Sequence, residues 1–378
     1  MKTATLGEIA DWGSGGTPKR GVAEYFGEGT PWLSIADLND GVVTKAKESL
    51  TPAGIASSSA KVVPQGTLFV AMYGSIGKLG IAGSEMATSQ AIAFAKPKDD
   101  LIDRRFLFHY LLAERPKLQA RGRGGTQMNI GQADLKAWPI PLPPLPEQRR
   151  IAAVLDHANA LRTQRRQVLI FLDALIQSVF DATFGSDLPA APLGELAETR
   201  LGKMLDSKKQ TGEHLRPYLR NANVQWFRFQ LSDLLQMDFN EKDRATLVLE
   251  PGDVLMCEGG QPGRSAIWRG ELEECYFQKA LHRVRLGSHL EPEYFVRAMK
   301  KIVDSNGLKD FVTSSTIAHL TGEKLRTLPI PVPPLELQRT FAREVARIVD
   351  SKGAALAACT RHDELFASLQ SRAFRGEL

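Results

Sequence analysis

The chain has 378 residues, 43% hydrophobic and 24% charged, enough for two domains of about 150 residues plus connectors and able to bury real cores. No run approaches a membrane span, Met1-Lys2-Thr3-Ala4-Thr5 lacks the apolar core of a signal peptide, and three cysteines are too few for a disulfide framework, so a cytoplasmic protein is expected. A net charge of +5 is a mild pointer to nucleic acid.

The first globular segment is expected at residues 1–146. Leu6-Gly7-Glu8-Ile9-Ala10 opens it, and Gly13-Ser14-Gly15-Gly16-Thr17-Pro18-Lys19-Arg20 follows. That glycine run does not stand between a strand and a helix, as a nucleotide-binding loop would. It reads as a flexible basic loop offering Thr17, Lys19 and Arg20. Val62 to Tyr73 reads as a strand pair turning near Pro64-Gln65-Gly66, and Gly74-Ser75-Ile76-Gly77-Lys78 as a tight turn presenting Ser75 and Lys78. It is not a phosphate loop, since Met72 occupies the first glycine position and Leu79 the Ser/Thr position. Asp103 to Gln119 is helical by periodicity and feeds Arg121-Gly122-Arg123-Gly124-Gly125-Thr126-Gln127. Arginines among glycines put cationic forks on a backbone that can approach another surface closely. Phosphate contact is therefore expected of Arg121 and Arg123, with Thr126 and Gln127 beside them.

From Trp138 to Ile151 the chain reads W-P-I-P-L-P-P-L-P-E-Q-R-R-I. The prolines hold an extended lead-in, and Pro146-Glu147 suits a first helical turn. The helix then expected occupies 147–185 and reaches Phe184 before Gly185 stops it. Its heptads place Ile151, Ala158, Leu172 and Val179 at one apolar position and Val154, Leu161, Val168 and Leu175 at the other, broken only by Arg165. Leu155, Leu169 and Ile176 widen the stripe, so this helix is expected to face more than one neighbour.

The second globular segment, 186–336, repeats the plan. Leu193-Gly194-Glu195 matches the opening, Gly252-Asp253-Val254-Leu255-Met256 matches Gly66-Thr67-Leu68-Phe69-Val70, and Gly260-Gln261-Pro262-Gly263-Arg264 matches the turn at Gly74. Glu291 to Asp304 takes the place of the first segment's helix, and Thr313-Ser314-Ser315-Thr316 the place of Gly124-Gly125-Thr126. Lys208, Lys209, Asn221, Asn223, Gln261, Arg264, Ser314, Ser315 and Thr316 are the candidate nucleic-acid contacts of this half. Leu328-Pro329-Ile330-Pro331-Val332-Pro333-Pro334-Leu335-Glu336-Leu337-Gln338-Arg339 then repeats the proline junction, Gln338 falling on Gln148. A second helix at 337–378 carries Phe341, Val345, Ile348, Ala355, Cys359, Phe366 and Leu369 on its apolar side.

Such duplication predicts an α+β chain of two similar mixed α/β domains separated by two long helices, which become antiparallel and pseudo-two-fold symmetric if the last folds back. Similar loops with different side chains suit two readers of different short sequences. No catalytic constellation is found: there is no complete phosphate loop, no H-E-x-x-H, no C-x-x-C, no E-x-K, and the seven histidines are scattered. A metal site and bound cofactors are not expected.

The sequence resembles the DNA-specificity subunit of type I restriction-modification systems. Gly125-Thr126-Gln127 followed by Pro139-Ile140-Pro141-Leu142-Pro143-Pro144-Leu145-Pro146-Glu147-Gln148 carries the resemblance, with the echo Pro329 to Leu335, the two Leu-Gly-Glu openings and Gly16-Thr17-Pro18. In the second copy Leu337 replaces the glutamate and Thr316-Ile317 the Thr-Gln pair. The resemblance implies a non-catalytic subunit in which each target-recognition domain reads half of a bipartite, asymmetric site on double-stranded DNA. It further implies that the helices dock methyltransferase subunits, two copies being expected, while a restriction and translocation subunit cuts. S-adenosylmethionine, ATP and magnesium would then belong to those partners. The helix residues expected to pack or dock are Ile151, Leu155, Leu161, Val168, Leu172, Leu175, Phe341, Val345, Ile348, Phe366 and Leu369. The alternative is a DNA-binding coiled-coil regulator or adaptor outside restriction.

Overall fold

The computed structural model describes residues 2–124, 128–185, 188–206, 210–313 and 318–378. They form two compact units, one of residues 1–167 with 357–378 and one of residues 168–356. The central helix Leu145–Thr183 and the C-terminal helix Leu335–Arg375 each contribute to both units.

In unit 1 a five-stranded sheet runs in the order Ala10–Ser14, Ile92–Pro97, Leu68–Ala71, Leu79–Ala82, Val42–Val43. Its centre, Leu68–Ala71, is buried on both faces, and period-2 alternation sorts its side chains. Leu68 and Val70 face a core shared with Phe106, Leu107 and Leu111 of the helix Arg104–Arg121, while Phe69 and Ala71 face a second core with Leu33, Leu38 and Met86. Asp103 caps that helix, its Oδ1 accepting from the N–H groups of Arg105 and Phe106 at 3.0 Å. A smaller sheet orders Glu48–Leu50, Phe26–Leu33 and Ala87–Thr88, and Thr3–Thr5 pairs antiparallel with Pro139–Pro141. The expected strand pair from Val62 to Tyr73 is one strand. Pro64 and Gly66, the latter at φ +83°, bend the chain before it, and Val63 makes a single bridge to Met86.

The glycine run at 13–16 is not a flexible loop. A Cβ on Gly15 would lie 1.8 Å from the Thr88 carbonyl oxygen and one on Gly16 2.3 Å from Ser59 Oγ, so these glycines let the chain cross directly over its neighbours.

Unit 2 repeats the scheme. Ala197–Leu201, Leu281–Leu286, Val254–Cys257 and Ser265–Ile267 form its larger sheet, and Leu235–Asp238, Leu215–Leu219 and Tyr276–Phe277 the smaller. Val254 and Met256 face the helix Pro292–Asp304, and Leu255 and Cys257 the opposite core. Ala190–Pro192 pairs antiparallel with Pro329–Pro331.

At the start of each long helix a buried glutamine ties three backbone groups together. Gln148 Oε1 accepts from Asp103 N–H at 2.8 Å while its Nε2 donates to the carbonyls of Leu101 at 3.0 Å and Pro143 at 2.8 Å. Gln338 does the same to Glu291 N–H at 2.9 Å, His289 O at 3.0 Å and Pro333 O at 2.8 Å. Each clamp thus joins proline junction, long helix and the neighbouring helix start. Aromatic packing completes the joint, with Phe374 against Phe106 and Tyr110 in unit 1, and Phe180, Phe184, Tyr294 and Phe341 in unit 2.

Within each unit the helices run antiparallel. Arg162 and Arg166 reach Asp363 at 2.6 and 3.1 Å and Arg150 donates to the Leu378 carbonyl at 2.7 Å in unit 1; Asp173 meets Lys352 at 2.5 Å in unit 2. Packing follows the heptads only near the globular parts. Ile151, Leu155, Phe341, Val345 and Phe366 are buried and Leu172, Ile348 and Leu369 half-buried, whereas Leu161, Val168 and Leu175 remain 39%, 38% and 45% exposed. The globular cores draw Ile176, Phe180 and Phe184, four residues apart, into burial, which leaves the other heptad stripe open.

Candidate nucleic-acid interface

Glycines at both ends of the turn make it tight: Gly74 and Gly77 lie at φ +61° and +76°, where a side chain would be strained. The loop after the helix Arg104–Arg121 is zipped to this turn, Gly74 N–H donating to Met128 O at 3.0 Å and Asn129 bridging both Tyr73 and Arg123. Arg115 supports the turn from below through a 2.8 Å bond from Nε to Gly77 O and an ion pair with Asp40. Beside the turn opens a recess of about 490 Å³ lined by Ile35, Tyr73, Gly74, Ser75, Gln90 and Ala91. Thr17 enters from the crossing loop, its hydroxyl donating to Gln90 Oε1.

Unit 2 builds the same frame. Gly260 and Gly263 take φ +72° and +84°, and Gly259 bridges His319 as Tyr73 bridges Asn129. A Cβ on Gly202 would stand 2.4 Å from the carbonyl oxygens of Phe277 and Gln278, the same close crossing as at Gly15.

The basic residue after each turn does not face outward as expected. Lys78 Nζ donates to Ile35 O at 3.2 Å, and an Arg264 Nη donates to Asn221 O at 2.8 Å while the other holds Gln261 Oε1 at 2.9 Å. Both are internal staples, tying the turn to the short 3-10 helices Ile35–Asp37 and Asn221–Asn223 that follow a strand of each small sheet. Asn223 is likewise structural. It is 0% exposed, its Nδ2 bonded to Gln230 O at 2.9 Å and Asp233 Oδ1 at 2.8 Å, and its Oδ1 accepting from Arg220 N–H at 2.9 Å. Short polar side chains in turns serve the backbone as readily as a partner, which sequence alone does not distinguish. Asn221 is half-buried, its Nδ2 donating to Gly259 O at 3.0 Å.

Ser75, Gln261, Lys19, Arg121 and Arg123 are exposed. Arg20 is exposed but engaged, paired to Glu48 at 2.7 Å and lying over Phe26 and Trp32 at 5.1 and 4.9 Å. Thr126, Gln127, Lys208, Lys209, Ser314, Ser315 and Thr316 lie outside the described residues. Sequence reasoning missed Gln90 and Lys279 beside the frame, because neither belongs to a glycine turn or a basic run.

The side chains of Arg121 and Arg123 pair with no described residue. Replacing both by alanine is expected to weaken binding to all DNA sequences and to lower the slope of log K against log salt by roughly two. Alanine at Lys78 is expected to leave that slope unchanged while loosening the turn; titrations at several salt concentrations separate the two outcomes.

The described residues of the frame offer hydrogen-bond donors and acceptors and charge. No group of three or more metal-ligating side chains occurs among the described residues, and no described helix is long and apolar enough to cross a membrane. His109 and His282 are buried, and burial pushes both imidazoles below their ordinary value. Each has a structural partner, Asp156 for His109 at 2.9 Å and Leu320 O for His282 at 2.9 Å.

Residues 1–169 and 190–352 match the family model described as type I restriction modification DNA specificity domain. The MjaIX specificity subunit of Methanocaldococcus jannaschii is 25% identical over 189 residues, 48% of this chain and 43% of that one, so the chain spans less than half of that relative's length. The EcoKI specificity subunit of Escherichia coli K12 is 22% identical over 92% of this chain and 82% of its own. Among solved structures, a chain from a type I R-M system aligns over 100% of this chain and 98% of its own with a TM-score of 0.67 at 21% identity, a likeness of fold.

Proposed function

The chain belongs to the family of the type I restriction-modification DNA specificity domain, and from that premise we propose that it is the subunit through which such a system recognises double-stranded DNA. Each unit reads one half of a bipartite, asymmetric site. The observation that carries this reading is one frame built twice with different exposed side chains: crossing glycine, stapled turn and zipped loop recur, while Ser75 and Gln90 in one unit are answered by Gln261 and Lys279 in the other. A shared scaffold with different donors and acceptors suits two different short sequences.

The subunit is non-catalytic in this reading and works in the cytoplasm. Chemistry belongs to methyltransferase subunits, two copies of which dock on the long helices, and to a restriction and translocation subunit. S-adenosylmethionine, ATP and magnesium are held by those partners. The open apolar stripe on the central helix supports docking there.

Co-expression with its methyltransferase subunit, followed by methylation mapping, tests the proposal. A single motif of two short half-sites around an unread gap is expected, with neither methyl transfer nor cleavage by the purified chain alone. Turnover by the chain alone would sink the reading, and DNA binding that directs no methylation would favour a regulator. The family match over both halves argues against that regulator.

A further inference from the structure

We infer that Gln90 in unit 1 and Lys279 in unit 2 are equivalent base-reading positions, Gln90 selecting adenine and Lys279 guanine, an inference that rests on the DNA-recognition reading above.

Equivalence follows from the backbone. In unit 1 Ser89 N–H donates to Leu33 O at 2.9 Å and Ile92 N–H to Ser89 O at 3.1 Å; in unit 2 Gln278 N–H donates to Leu219 O at 3.0 Å and Leu281 N–H to Gln278 O at 2.9 Å. The strand pairs alongside agree, Trp32–Leu33 running parallel to Ala87–Thr88 as Tyr218–Leu219 runs parallel to Tyr276–Phe277. Gln90 and Lys279 therefore leave the same corner of the same small sheet. The crossing loops meet them at the same place, two residues beyond Gly15 and Gly202, where Thr17 contacts Gln90 and Met204 contacts Lys279, whose Nζ lies 3.9 Å from the thioether sulfur.

Both side chains are exposed on rigid supports, as a reader must be. Gln90 rises beside the recess next to the turn at Gly74, and Thr17 fixes its carbonyl oxygen while leaving Nε2 without a described partner. A carboxamide that can accept and donate side by side matches adenine, whose major-groove edge offers the N6 donor and N7 acceptor. An ammonium donates only, so Lys279 matches the O6 and N7 acceptors of guanine and opposes edges that present a donor. A thioether is too weak an acceptor to satisfy that ammonium, which keeps it available. One position on a duplicated frame thus carries different hydrogen-bonding capacities, donor with acceptor in one unit and donor alone in the other.

The test uses the full chain assembled with its methyltransferase subunit and maps methylated motifs for wild type, Lys279→Gln, Lys279→Arg and Gln90→Lys. Wild type is expected to have a guanine in the half-site of unit 2 and an adenine in that of unit 1. Lys279→Gln should relax or switch that guanine toward adenine, with discrimination at that base changed about tenfold or more and the other half-site untouched. Lys279→Arg should retain guanine, because arginine also donates to O6 and N7. Gln90→Lys should move only the other half-site. An unchanged motif with the salt slope lowered by roughly one would assign Lys279 to phosphate and overturn the inference. An unchanged motif and slope would overturn it too. If wild type yields no bipartite motif, the functional reading itself fails, a result distinct from a wild-type motif that the variants leave intact.

Discussion

Replacing Gln148 by leucine is expected to destabilise unit 1 by roughly 2–4 kcal/mol, since it strands one backbone N–H and two carbonyls at a joint with little access to water. Leucine is close in size, so the effect isolates hydrogen bonding from packing. For a domain of this size the change corresponds to a fall of about 5–15 °C in the midpoint of thermal unfolding. Gln338→Leu strands the N–H of Glu291 and the carbonyls of His289 and Pro333 and is expected to act equally on unit 2. Because the chain has two compact units, calorimetry should resolve which transition moves. A loss below about 1 kcal/mol for either variant would show that the clamp is replaceable.

The second large effect concerns assembly. Val168, Phe171 and Leu175 stand at i, i+3 and i+7 on the central helix, and Phe171 is 62% exposed. A stripe of this kind, open on the isolated chain, is the expected seat of a partner's apolar surface. Phe171→Asp should leave helix content intact and weaken capture of the methyltransferase subunit by roughly 30-fold to 1,000-fold, the range of a lost aromatic anchor. Titration by analytical ultracentrifugation would measure this. An unchanged affinity would place the docking face elsewhere.

Much of this architecture is legible in the chain itself, because proline and helix periodicity are local signals. Asp103 and Glu291 stand at the starts of real helices, the glycine turns at 74 and 260 are real turns, and both proline junctions lead into long helices. What escaped the sequence depends on contacts between distant residues. Gln148 and Gln338 align, but only the fold shows each tied to a backbone segment more than forty residues away. Lys78 and Arg264 look like free cations until the carbonyl of Ile35 or Asn221, just beyond a strand of the small sheet, arrives beside them. Gly15 and Gly16 look loose until Thr88 and Ser59 lie against them. The heptads gave the long helices correctly and their burial only in part, since the globular cores compete for the same helix surface.

The core of unit 1 includes Phe366 and Ala373, with Leu369, Phe374 and Leu378 packed against it. Those residues belong to the segment 357–378, although the rest of the unit is complete by residue 167. At about 5–20 residues per second, ribosomal synthesis of the intervening chain takes on the order of 10–40 s. Throughout that interval Phe106, Ile151 and Leu155 lack part of their apolar cover, so unit 1, begun first, is completed only after unit 2 has been made. A nonsense codon just before Phe366 would therefore damage unit 1 as well as the second long helix, and a nascent chain halted before residue 357 should attract chaperones through its oldest part.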